Sequence, residues 1–144
     1  MTPPEPDRRT AFVVHGLAQA RAACAAAVAS GRAIALISAP GAAQSVGIGW
    51  FKALVEETRG SYPTVDMIAV LDCGDAAGRT LQALSQGLRH LLVDARSPAL
   101  PRLRDIAAQH GAAILTARPI CIDLGTVADP EAACRAALAG GGGD

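Results

Sequence analysis

The chain has 144 residues, of which 51% are hydrophobic and 18% charged; this excludes a disordered polymer and favours one domain with its own core. Thirteen basic side chains balance 13 acidic ones, so there is no basic footprint for nucleic acid, and no apolar stretch is long enough to cross a bilayer. None of Cys24, Cys73, Cys121 and Cys134 forms a C-x-x-C pair, which argues against a zinc knuckle or a redox motif and for free thiols in a reducing cytoplasm.

Residues 1–9 combine three prolines with four charges and no apolar run; they read as a disordered arm rather than a signal peptide. A single α/β domain is expected over 10–139, and the glycines of 140–144 read as a flexible tail. Within the domain, "AFVV" (11–14) is the first apolar run, followed by the alanine-rich "LAQARAACAAAVASG", which ends at Gly31. "AIALI" (33–37) is the second run. A glycine-rich loop then leads to "WFKALVEETRG", which carries Phe51, Leu54 and Val55 on one face and ends at Gly60. Trp50, the sole tryptophan, suits a core or a subunit interface. "MIAVL" (67–71) precedes a helix with Leu81, Leu84 and Leu88 on one stripe; Asp75 is placed to cap it. "LLV" (91–93) is followed by a helix opening at Ser97-Pro98, and "AAIL" (112–115) by "ICIDL" (120–124), either a sixth short strand or a return along the sheet edge. Asp129-Pro130 has the cap-then-proline order of a final helix start. His90 and His110 fall at helix ends.

The apolar runs are continuous, as in strands covered on both faces, and helices separate them. The rhythm predicts parallel strands joined by right-handed crossovers. The expected architecture is a three-layer sandwich around a five-stranded parallel sheet. A flavodoxin-like strand order 2-1-3-4-5 is favoured over a Rossmann-like one, with a half-barrel of βα units third. The third option rests on residues 69–95, which resemble one βα repeat of a TIM barrel.

In such sheets ligands bind beyond the carboxyl ends of the strands. Polar residues gather there: His15-Gly16, Ser38 to Gly41, Asp72-Cys73-Gly74-Asp75, Asp94-Ala95-Arg96 and Thr116-Ala117-Arg118. Ser38, Gly41, Asp72, Asp94, Arg96 and Arg118 are therefore the candidate ligand contacts, with the arginines suited to a carboxylate or phosphate. The glycines at 41, 47 and 49 precede a helix whose first amides suit an anion, but neither nucleotide-binding glycine motif is present. Asp72, Cys73 and His15 are the catalytic candidates: a thiol near a helix start, with Asp72 orienting the histidine. No metal motif is present, and no cofactor is indicated.

The length, the βα alternation and the acid ending strand 3 resemble a response-regulator receiver domain. That resemblance implies phosphorylation at Asp72, an acidic pair after strand 1 and a lysine after strand 5. Here His15-Gly16 stands where the acids belong and Arg118 where the lysine belongs, so the chain is not assigned to that family. Flavodoxins are disfavoured by the missing phosphate loop and the few aromatics.

Two functions follow as expectations. One is a site for a small anionic metabolite at the strand ends, with or without catalysis; the other is a non-catalytic regulatory or assembly module. A homo-oligomer, most simply a homodimer, is expected, with neither nucleic acid nor membrane as partner.

Overall fold

In the computed structural model, which describes residues 9–140, every expected apolar run contributes a strand, and the run left open contributes a sixth. The strands are β1 (Thr10–Val13), β2 (Ile34–Ile37), β3 (Met67–Gly74), β4 (His90–Val93), β5 (Ala113–Leu115) and β6 (Cys121–Asp123). The helices are α1 (Leu17–Ser30), the single turn α2 (Ala42–Ser45), α3 (Ile48–Ser61), α4 (Ala77–Ser85), α5 (Leu100–Gln109) and α6 (Pro130–Ala139), with a 3-10 turn at Leu124–Thr126. All pairings are parallel.

The strand order is 5-4-3-2-1-6, which corrects the expected 2-1-3-4-5 and the count of five. The difference has a consequence for the layers. From β1 to β5 each crossover steps to the next strand in the same direction. Right-handed crossovers that never reverse place their helices on one side of the sheet. Accordingly, residues of all six helices share one core with Phe12, Ile34, Leu36, Leu71, Leu91 and Val93. The opposite face has its own core, built from Ala11, Val13, Ala35, Ile37, Ile68, Val70 and Leu92, with Leu115 and Cys121 against it; no helix residue belongs to it. The three-layer sandwich is therefore replaced by helices on one side and strands facing strands on the other.

That second core requires a curled sheet. β5 and β6 lie at opposite edges yet are joined by residues 116–120 alone. A flat six-stranded sheet is about 24 Å across, and the six steps from Leu115 to Cys121 reach at most about 22 Å. The chain must also return from the carboxyl end of β5 to the start of β6. Only a sheet rolled towards a barrel brings its edges that close, and rolling also buries Ala35 and Ile37 completely. The stagger agrees: Met67 to Val70 pair with β2, whereas Leu71 to Gly74 pair with β4. The half-barrel of βα units is thus nearest to the observed form.

Local expectations fared unevenly. Asp129 caps α6, accepting from the Ala132 N–H at 3.1 Å, and Gly31 closes α1 at φ 71°. α3 starts before Trp50 and runs through Gly60 to Ser61. Asp75 does not cap α4: the N-cap is Ala76, which has no side-chain bond, because the tight turn at Gly74 (φ 58°) leaves Asp75 one position too early. α5 begins after Ser97-Pro98, at Leu100. His90 does not end a helix but opens β4, where it is buried. Arg9, assigned to the arm, is held by the Asp66 carboxylate at 2.8 Å and its carbonyl at 3.1 Å, and Gly140 closes α6. The arm over 1–8 and the tail over 141–144 lie outside the described residues.

Candidate functional site

Three strands carry the same apolar-apolar-Asp run near their carboxyl ends: Val70-Leu71-Asp72 within β3, Leu92-Val93-Asp94 running out of β4 and Cys121-Ile122-Asp123 on β6. Alternation puts each aspartate in phase with residues of the inner core (Val70, Leu92 and Cys121), at the carboxyl ends where parallel βα folds take ligands.

Asp72 is 7% exposed and fully engaged. Its Oδ1 accepts the Gly74 N–H at 2.8 Å, its Oδ2 accepts Arg118 Nη2 at 2.6 Å, and its own N–H donates to Ser38 Oγ at 2.8 Å. Arg118 sits on the 116–120 segment that crosses between the sheet edges. It also donates from Nη1 to the Ser38 carbonyl at 3.1 Å. One guanidinium thus ties the ends of β2 and β3 to the crossing segment, using two of its five N–H donors.

His15, just after β1, pairs with Asp123 rather than Asp72: Nε2 to Oδ1 is 2.7 Å. With β2 between β1 and β3, the expected Cys73–His15–Asp72 constellation does not assemble. The His15 backbone N–H donates to Gln19 Oε1 at 2.6 Å, and Asp123 Oδ1 also accepts the Gly125 N–H at 2.8 Å. The hydrogen bond from His15 holds the Asp123 carboxyl below the ordinary carboxylate range, with the Gly125 N–H and the Arg118 charge adding to the effect. Arg118 therefore lies in the field of both acids. A Cβ at Gly125 would lie 2.7 Å from the His15 ring, so any side chain there would make the ring shift.

The other candidates are peripheral. Asp94 binds Arg96 through both carboxylate oxygens, and this arginine lowers its carboxyl's pKa; the Arg96 side chain is 91% exposed. Asp72 within β3 and Asp94 just after β4 do belong to neighbouring parallel strands, as the expected order had them. Cys73 points the other way, into the helix-side core, where burial pushes its thiol up to about 11. A thiol so placed is neither ionised at neutral pH nor near His15. Gly41 (φ 66°) opens only the single-turn α2. All four cysteines are free. Among the described residues, no three His, Cys, Asp or Glu side chains come together as a metal site, and no helix is long and apolar enough to cross a membrane.

Sequence reasoning missed Asp123, although the apolar-apolar-Asp run it shares with Asp72 and Asp94 was there to be read. It also missed that the arginine holding Asp72 reaches the Ser38 carbonyl as well. A cleft of about 410 Å³ opens at the opposite end of β1 and β6, between Arg9 and Ile120, away from these groups. Compared with protein-family models and with curated proteins, the chain matches none.

Proposed function

We propose that the protein binds a small anionic metabolite at the carboxyl ends of its strands, with Arg118 as the cationic contact and the His15 ring beside the bound anion. The supporting observation is the run of polar and charged groups Ser38, Asp72, Arg118, Asp123 and His15 along one end of a curled parallel sheet. Arg118 has N–H donors left over, and the His15 side chain is 39% exposed, so both can meet a ligand. The test is thermal melting and calorimetry with inorganic phosphate and malonate. Either anion should raise the melting temperature of the wild type, and Arg118→Gln should abolish the rise. No stabilisation by either anion would overturn the reading.

A second reading, a non-catalytic module that assembles as a homodimer, draws on exposed apolar side chains. Val46 and Trp50 lie close in sequence around the start of α3, and Ile120 on the crossing segment is fully exposed. Sedimentation of the wild type and of Trp50→Asp and Ile120→Asp variants tests it: a dimer dissociated by either change supports it, and a monomer at high concentration removes it.

A further inference from the structure

We propose that His15 and Asp123 form an acid–base dyad in which His15 Nδ1 activates water against the acyl bond of a small anionic ester, with Asp123 as the positioning residue. The inference rests on reading the strand ends as an anion site and adds a reaction to it. Three observations carry it. Nε2 is committed to Asp123 Oδ1 at 2.7 Å, which fixes the neutral tautomer as Nε2–H and leaves the Nδ1 lone pair as the base. Among the described residues Nδ1 has no hydrogen-bond partner, and the ring is partly open to solvent. The carboxylate is itself fixed: its Oδ1 takes the Gly125 N–H, and the missing side chain at Gly125 leaves room for the ring. The Gly125 bond is also the cap of the 3-10 turn at Leu124–Thr126, so the fold itself holds the acid in place beside the ring.

The step balances without a further reactant. Water loses a proton to Nδ1, its oxygen bonds to the acyl carbon, the bond from that carbon to the leaving oxygen breaks, and the imidazolium then gives its proton to solvent or to the leaving group. Asp123 stabilises the imidazolium while it exists. The charged group facing His15 is Asp123 on β6, and Arg118 on the crossing segment acts on that acid. Arg118 is the group that would favour a carboxylate-bearing ester over a neutral one.

The test compares hydrolysis of p-nitrophenyl acetate and of mono-p-nitrophenyl succinate, using the full chain. The wild type should exceed an equal concentration of free imidazole on both esters and should prefer the succinate. His15→Gln should lower the rate about 100-fold, towards background. Asp123→Asn should lower kcat about tenfold with KM little changed, and Asp123→Glu should recover part of it. Gly125→Ala, which keeps both groups but crowds the ring, should also lower kcat; it serves if His15→Gln melts early. Wild-type rates no greater than imidazole, or rates unchanged in His15→Gln, would overturn the dyad. A His15-dependent rate without preference for the succinate would leave the dyad standing and remove the anion site. Anion binding without His15-dependent hydrolysis would do the reverse.

Discussion

Asp72–Arg118 and His15–Asp123 are both acid–base pairs at the carboxyl ends of the same sheet, 2.6 and 2.7 Å long, yet they are built for different work. The Asp72 side chain is 11% exposed and that of Arg118 25%; each also bonds backbone, so the pair joins three chain segments. The His15 and Asp123 side chains are 39% and 44% exposed, and among the described residues His15 Nδ1 has no hydrogen-bond partner. Burial makes the first pair costly to break and poor at meeting ligand through its acid. Exposure makes the second nearly irrelevant to stability and available for chemistry. Equal geometry does not mean equal function; the surroundings decide.

The comparison is broken most sharply at Asp72. Asp72→Ala leaves a largely buried guanidinium and the Gly74 N–H without their partner, and should cost about 3 kcal/mol in denaturant unfolding. A loss below about 1 kcal/mol would show the pair to be no more structural than an exposed one. Next in size, Ser38→Ala removes the acceptor of the buried Asp72 N–H and should cost about 1–2 kcal/mol.

Asp123→Asn should cost no more than about 0.5 kcal/mol, because its charges are screened by water. The pH dependence sharpens this. Since the folded state lowers the Asp123 pKa, its contribution is present above the ordinary value of 3.8 and is lost as pH falls through the depressed one. The small gap in melting temperature between wild type and Asp123→Asn should therefore close in acid and persist near neutral pH. The smallest effect is expected next door to Asp72. Burial raises the Cys24, Cys73 and Cys134 thiols to about 11, so a thiol reagent at pH 8 should label native Cys121 first and leave those three until the protein unfolds. Rapid labelling of Cys73 would place it on the same face as its neighbour.

Much of this was legible one residue at a time. Continuous apolar runs mark strands because a strand covered on both faces has no polar side, and Asp129-Pro130 marks a helix start because the missing proline N–H is one that a helix leaves unbonded anyway. The stretch Asp72-Cys73-Gly74-Asp75 shows the limit. Alternation already separates Asp72 from Cys73, but not which side carries helices, so the thiol was read as a neighbour of the acid's chemistry. Asp75 was read as a cap from its distance to the leucine stripe, and the turn at Gly74 moved it out of register.

The sequence by itself determined the βα alternation, the parallel sheet and the end at which polar groups collect, because these follow from side-chain periodicity and from turn chemistry acting over a few residues. Strand order was decided only in three dimensions. A crossover reads the same whether it steps left or right, and the choice here was made by packing: stepping always one way gathered the helices on one side and left the inner strand faces to bury one another. That rolling brought β6 beside β1, which put Asp123 against a histidine 108 residues earlier and carried Arg118 across to Asp72. No local rule pairs those residues; they meet because an apolar sheet face without helices can leave water only by closing on itself.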